Sequence, residues 1–202
     1  RMDHMYPLLA ELLAEVTEIP EVVDAVAGAI DDNADIKDSA SAKLAIIRRD
    51  LKIAFDRLQN RLNRIISTQS KSQWLQESII TMRNGRYVVP LKAENKGKIP
   101  GVVHDSSSSG ATLFIEPLET VELNNQWREL QLDEEKEIRR ILQALSALVG
   151  EHAEGIVRTV EVLAYLDLVL AKAHLAEEMN AVEPVLVPFR EKDNDGAQAA
   201  HP

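Results

Sequence analysis

At 202 residues and 45% apolar content, the chain is long enough for one or two folded domains and too apolar to be a disordered one. It has no cysteine, which removes disulfides, thiolate zinc sites and cysteine nucleophiles together and is compatible with the cytoplasm, where we place it. A net charge of −10 argues by itself against a nucleic-acid partner.

The charge is not evenly spread. Residues 1–42 carry 2 basic and 10 acidic side chains, residues 43–104 carry 13 and 4, and residues 105–202 carry 8 and 19. A basic middle lies between two acidic flanks, and any phosphate partner has to meet that middle.

From the start of the chain, Pro7 to Val16 and Pro20 to Ile30 read as short apolar helices, each opened by a proline, whose missing N–H is harmless in a first turn. No secretory leader pattern appears at Arg1 to Ala10. Asp31 to Asp38 is a polar break, after which Ser39 or Ser41 offers an N-cap. A long helix is expected from Ala42 to Ser78. Leu44, Leu51, Leu58 and Ile65 recur every seven residues, beside a companion row of Arg48, Phe55, Leu62 and Gln69, close to a coiled-coil seam. Such a helix, roughly 55 Å long, cannot bury its stripe alone and needs a partner alongside.

The stretch from Met82 to Pro117 breaks the helical pattern. Four of the eight glycines lie in it: Gly85, Gly97, Gly101 and Gly110. Asn84-Gly85 is a strong hairpin signal, because a type I′ turn needs positive φ at both central residues. Asn95-Lys96-Gly97 and Ser106 to Gly110 mark two further turns. Between them lie β-prone runs at Ile79–Arg83, Arg86–Lys92, Ile99–His104 and Ala111–Ile115, so a small antiparallel module of about four strands is expected, inserted between two long helices.

The second long helix is expected from Glu119 to Val149. Leu123, Trp127, Leu130, Ile138, Ile141, Leu145 and Leu148 step by threes and fours, with Glu134 filling the gap. It is acidic where the first is basic, which favours antiparallel pairing, although exposed pairs are worth under about 1 kcal/mol each and mainly bias register. Trp74 and Trp127 fall near the module ends of the two helices and read as packing at that junction. Gly150 to Gly155 allows a break. Ile156 to Met179 is apolar on nearly all sides and reads as a buried helix at the base of the pair. The run Val162 to Ala171 contains Asp167 and is too short to span a bilayer. Asp167 and His174 read as a satisfied buried polar pair or a helix-end contact rather than a metal site. Glu191 to Ala200 reads as a linker.

No GxxxxGK[ST] phosphate loop, HExxH or GxSxG motif occurs, so this chain alone is not expected to hydrolyse nucleotides. His104, Asp105 and Ser106 invite a hydrolase reading, but they are adjacent, whereas a triad converges from separate segments. A strand-end turn is the simpler account. The basic residues of the module are Arg83, Arg86, Lys92, Lys96 and Lys98, against Glu94 alone between Met82 and His104. They are the candidates for phosphate contact, with Arg57, Arg61 and Arg64 on the first long helix as a secondary set. A solvated loop is the bland alternative.

The run TMRNGRYVVPLKAENKGKIPGVVHDSSSSGATLFIEP, followed by VELNN, resembles the second, recombination-suppressing branch of the bacterial MutS ATPases. DIKDSASAKLAIIRRDL upstream and YLDLVLAKAHLA downstream resemble the same family, so the resemblance covers about residues 6–183. It implies a mainly α fold: two long antiparallel lever helices on a helical base, with a small antiparallel β clamp at the tip. Residues 1–79 would then hold the base and outgoing lever, 80–117 the clamp, 118–183 the returning lever and buried base helix, and 184–202 a linker towards an ATPase domain. The first residue and the closing AQAAHP fit a piece of something larger.

The resemblance further implies DNA, branched or duplex, as partner, contacts to stalled or collided ribosomes, and a homodimeric parent that encloses the duplex. ATP and magnesium would belong to the parent's ATPase domain, and an endonuclease activity to an attached Smr-type domain. No catalytic residue, metal, cofactor or membrane contact is expected in this segment. A pure dimerisation or lever module is the alternative, and an enzyme built on His104 and Asp105 is the remotest reading.

Overall fold

The computed structural model describes residues 5–186, which form two compact units. One is Glu18–Ala153; the other joins the stretch up to Thr17 to the stretch from Glu154.

In the first unit, α2 (Pro20–Ala29) leads through a polar turn into α3 (Ala42–Ser67). Asp31 shapes that turn by accepting from the Asn33 and Asp35 amides, both at 2.9 Å. Ser41 caps α3: its backbone is extended and its hydroxyl accepts from the Leu44 amide at 2.9 Å, satisfying one of the free N–H groups of the first turn. The same hydroxyl donates to Glu137 Oε1 on the facing helix at 2.9 Å, so the cap also sets register.

That facing helix is α5 (Leu118–Glu151), 34 residues or roughly 51 Å long. Lys43 reaches Glu137, Arg48 reaches Glu134 and Arg61 reaches Glu119, an order that runs backwards along α5 and makes the pair antiparallel. Leu44, Ile47, Ala54, Leu58, Leu62 and Ile65 are buried on α3, and Trp127 and Ile141 on α5. Two polar interruptions of the seam meet: Arg48 Nε donates to Glu134 Oε1 at 2.7 Å. Both side chains are about one quarter exposed, so the pair keeps part of its hydration.

The first helix ends eleven residues before Ser78. Thr68 is extended (φ −71°, ψ 116°), and its hydroxyl donates to the Arg64 carbonyl at 2.6 Å, occupying one of the orphan acceptors of the last turn. A one-turn helix, α4 (Gln69–Ser72), follows. The chain then leaves helical geometry because the sheet offers competing partners. The Gln76 amide donates to Pro90 O at 2.9 Å, the Lys92 amide donates to Trp74 O at 3.0 Å, and Leu75 becomes 3% exposed.

The sheet is four-stranded and antiparallel in the order β1-β2-β4-β3, with β1 (Thr81–Arg83), β2 (Arg86–Lys92), β3 (Gly101–Ser106) and β4 (Thr112–Pro117). Asn84 (φ 50°) and Gly85 (φ 75°) both have positive φ, as a two-residue hairpin of type I′ requires. Between β2 and β3 the chain crosses over through a 3-10 turn at Ala93–Asn95. Gly101 opens β3 against Pro117; a Cβ there would lie 2.5 Å from the Glu116 carbonyl oxygen. Val89, Leu91 and Ile115 face Leu58, Leu62, Ile65, Leu75, Ile99 and Trp127 in one buried cluster, which welds the sheet to the ends of α3 and α5. Each such aliphatic side chain contributes about 1.5–3 kcal/mol on burial.

In the second unit, α1 (Pro7–Leu13) and α6 (Ala153–Glu178) are joined near Thr17, whose amide donates to Thr159 Oγ1 at 3.0 Å, and by an ion pair of Arg158 with Glu15. The expectation of a buried base helix is not met within the described chain. Val162 alone is buried on α6, and Val157, Val160, Leu163, Leu168, Leu170 and Leu175 are each at least half exposed. Asp167 and His174 are likewise exposed rather than paired in a core, and His174 Nδ1 lies 3.9 Å from Glu177 Oε2 near the end of the helix. The expected linker at Glu191 to Ala200 lies outside the described residues. No described helix is long and apolar enough to cross a membrane, and no group of three or more potential ligands among the described residues could hold a metal ion.

Candidate nucleic-acid interface

The five basic candidates of the module separate into two sets. The Asn84-Gly85 turn pairs Arg83 with Arg86 across the hairpin, which puts both side chains on the same face of the sheet. Strand alternation adds Val88 and Pro90 from β2, and Phe114 and Glu116 from β4, to that face. A register shift between Val103 and Asp105 in β3 brings His104 and Asp105 to it as well.

These groups form a polar roof over the buried Val88 and Pro90. The Arg83 guanidinium carbon sits 4.1 Å from the centre of the Phe114 ring, and Arg83 Nε lies 3.3 Å from Asp105 Oδ2. Arg83 Nη1 also donates to Met82 O at 2.8 Å and Thr81 Oγ1 at 3.2 Å. Arg86 Nη1 donates to Glu116 Oε1 at 3.2 Å, and His104 Nε2 lies 2.6 Å from Glu116 Oε2. Asn84 Nδ2 donates to His104 O at 3.0 Å and ties the hairpin to β3. Glu116 is 2% exposed, so both carboxylate oxygens are satisfied by these partners rather than by bulk water.

His104 and Asp105 both have structural partners in this arrangement. His104 Nε2 lies against Glu116, and Asp105 spends one oxygen on the Ser106 amide at 2.8 Å and the other on Arg83. The motif residues Arg83, Arg86, His104, Asp105, Phe114 and Glu116 therefore belong to one contiguous network.

The lysines stand away from the hairpin: alternation puts Lys92 on the face of Arg86 but six residues further along β2, and Lys96 and Lys98 lie on the crossover. Lys92 closes β2, half-buried, with Nζ 3.4 Å from Gln73 O. Lys96 and Lys98 flank Gly97 (φ 88°) on the crossover and are exposed. Among the described residues neither has a carboxylate within 4.0 Å. Ile99, 3% exposed, anchors the crossover in the cluster with Val89, Leu91 and Ile115, on the face opposite Arg86 and Glu116.

The secondary candidates also divide. Arg61 and Lys71 share Glu119, whose carboxyl is held below the usual range, first by the Lys71 hydrogen bond and then by the charges of Lys71 and Arg61. Arg57 and Arg64 are exposed, seven residues apart on α3, with no acidic partner among the described residues.

Glu119 is one of the acids whose charge favoured pairing the two long helices, but sequence reading missed Glu116, the acid that holds Arg86, and a buried amide, Asn124. Asn124 Oδ1 accepts from the Tyr87 amide at 3.0 Å, and Asn124 Nδ2 donates to Tyr87 O at 3.1 Å. Tyr87 stacks with Phe55 (5.6 Å between ring centres) and Trp127 (4.9 Å), and its phenol is pushed up by burial. The one signal for Asn124 was its helical spacing with Thr120 and Trp127, which puts a polar side chain on the buried stripe.

No family model matches the chain. Curated relatives do. It is 44% identical over 186 residues to a protein named endonuclease MutS2 from Alkaliphilus oremlandii, a match covering 92% of this chain and 24% of that protein. A protein of the same name from Geobacillus sp. strain WCH70 is 45% identical over 181 residues, covering 90% of this chain and 23% of its own length. One from Thermomicrobium roseum is 43% identical over 187 residues, covering 93% and 23%. The chain spans about a quarter of the length of these relatives, where the aligned share is 24% in the first. With two residues in five or more unchanged over nine-tenths of its length, the chain belongs to the MutS2 family.

Proposed function

We propose that this chain is the lever-and-clamp segment of a longer MutS-type ATPase and that it grips nucleic acid by its phosphates without catalysis of its own. The observation that carries the reading is the pair Lys96 and Lys98: exposed ammonium groups on either side of Gly97, with no acidic partner among the described residues, on a chain of net charge −10. A cation kept free on so acidic a protein suits an anionic partner that approaches locally.

In this reading α3 and α5 are the lever helices and residues 80–117 are the clamp. Lys92, Lys96 and Lys98, with Arg83 and Arg86 at the hairpin, meet the backbone, and Arg57, Arg61 and Arg64 extend the contact along α3. The name endonuclease carried by the relatives supports DNA as the substrate of the longer protein. Its ATPase domain would bind ATP and magnesium, two copies would enclose a duplex in the cytoplasm, and branched recombination intermediates would be the favoured form, so that recombination is limited. Ribosomal RNA presents the same phosphates, and a stalled or collided ribosome is the second target of the same surface.

Filter binding across a salt series, with duplex DNA, a four-way junction and ribosomal subunits as probes, tests this. Affinity that falls linearly with salt on a log–log plot, and differs between the probes, supports it. No binding to any probe at low salt overturns it.

One observation favours a second reading, a dimerisation or lever module without nucleic-acid contact. Arg61, Lys71, Arg83 and Arg86 all have acidic partners inside the chain. Under that reading all three probes fail while self-association in solution persists.

A further inference from the structure

The cations of the sheet's polar roof differ in how firmly they are held. Arg86 pairs with Glu116, whose side chain is 3% exposed, and His104 completes that carboxylate. Displacing Glu116 would strand a buried charge, so Arg86 is locked. Arg83 pairs with Asp105 across 3.3 Å, with the two side chains 38% and 47% exposed. That pair is solvent-facing and exchanges cheaply. Arg83 does not depend on Asp105 for its position, because Phe114 stacks beneath it and Thr81 and Met82 accept its protons.

From this we infer that Asp105 is an internal counter-anion that competes with nucleic-acid phosphate for Arg83 and so limits the affinity of the hairpin face. The inference rests on the nucleic-acid reading above. A phosphate oxygen arriving at Arg83 Nε takes the place of Asp105 Oδ2, and the freed carboxylate returns to water. The exchange swaps one anion for another, so part of the electrostatic gain is cancelled while Asp105 stays charged. The chain thus carries its own brake on a strongly positive turn, set by the residue that follows His104 in the HDSSSS motif.

The test compares the wild-type chain with Asp105→Asn on one duplex DNA across a salt series. Asn keeps the oxygen that accepts from the Ser106 amide, so the turn should hold, with circular dichroism as the check. The variant should bind about two- to fivefold more tightly at low salt, the range set by an exposed ion pair. Its log–log salt slope should steepen by about 0.9, the value for one additional phosphate contact. Glu129→Gln, an equal charge change on α5, should produce neither effect. Adding Arg83→Gln to Asp105→Asn should abolish the gain. A folded Asp105→Asn chain that binds with wild-type affinity and slope, or a gain matched by Glu129→Gln, overturns the role of Asp105 and leaves the nucleic-acid reading standing. Absence of binding by every protein in the series overturns that reading and this inference with it.

Discussion

Asn124 on α5 hydrogen-bonds both backbone groups of Tyr87 on β2, at 3.0 and 3.1 Å. The register explains why a side chain is needed there. Val89 faces Ile115, so Tyr87 falls opposite Pro117, which has no N–H to give the ladder. The amide of Asn124 supplies the missing donor and an acceptor, extending the sheet from a helix.

Asn124→Ala should therefore cost about 1–3 kcal/mol, because it leaves two half-buried backbone groups without their partner. Asn124→Asp should be no better, since a carboxylate accepts from the amide but cannot donate to Tyr87 O. Urea unfolding of the two variants checks this. A loss under about 0.5 kcal/mol in both would mean that water replaces the amide.

At the hairpin, Gly85→Val should destabilise the chain by at least about 1–2 kcal/mol, since φ of 75° is a left-handed conformation that costs an L side chain that much and a β-branched one more. A Cβ there would meet nothing within 4 Å, so the loss is conformational and Gly85→Asn should recover most of it. Thermal melts of both variants separate strain from packing.

Glu137 gives a pH dependence. Its carboxyl is lowered to about 2, first by the Arg140 hydrogen bond, with Ser41 and Lys43 adding to it against burial. A carboxyl depressed in the fold contributes stability above its unfolded value of about 4.3. That contribution is lost as pH falls from there through about 2. Glu137→Gln should unfold more readily than wild type at neutral pH, with the gap closing as the solution is acidified through that window. Equilibrium unfolding at stepped pH measures the gap; a gap that stays constant down to pH 2 would sink the assignment.

What the sequence made legible was mostly local. A serine cap at residue 39 or 41, the Asn-Gly turn and the four strand positions follow from short-range preferences that the fold does not override, and the structure chooses Ser41. The seam was legible in outline, and two of its polar positions, Arg48 and Glu134, meet in the structure. The end of α3 was not, because the partners that stop it are the Pro90 carbonyl and the Lys92 amide, known only once the sheet is built. The apolar stretch of α6 states that a surface avoids water, not which surface covers it. At the site, the basic residues could be read off, whereas their partners could not. Glu116 lies 30 residues from Arg86, and only strand register brings the two together.

That division of the basic residues sharpens what the lysines should do. Among the described residues Lys96 and Lys98 have no acid to release, so a phosphate meets each at full effect, whereas Arg86 is held by Glu116. Changing Lys92, Lys96 and Lys98 together to Ala should flatten the log–log salt slope for duplex DNA by about 2 to 3, at about 0.9 per lost contact. Lys96→Ala with Lys98→Ala should account for about 1.8 of this. Lys92 is half-buried beside the Gln73 carbonyl and should add the remainder only if it swings free. Folding should change by no more than about 0.5 kcal/mol for the pair, since both are exposed loop side chains. The measurement is affinity against salt, with circular dichroism to confirm the fold. A correctly folded double variant with an unchanged slope would move the contact off the crossover and onto α3, where Arg57 and Arg64 are the next exposed cations without an acidic partner among the described residues.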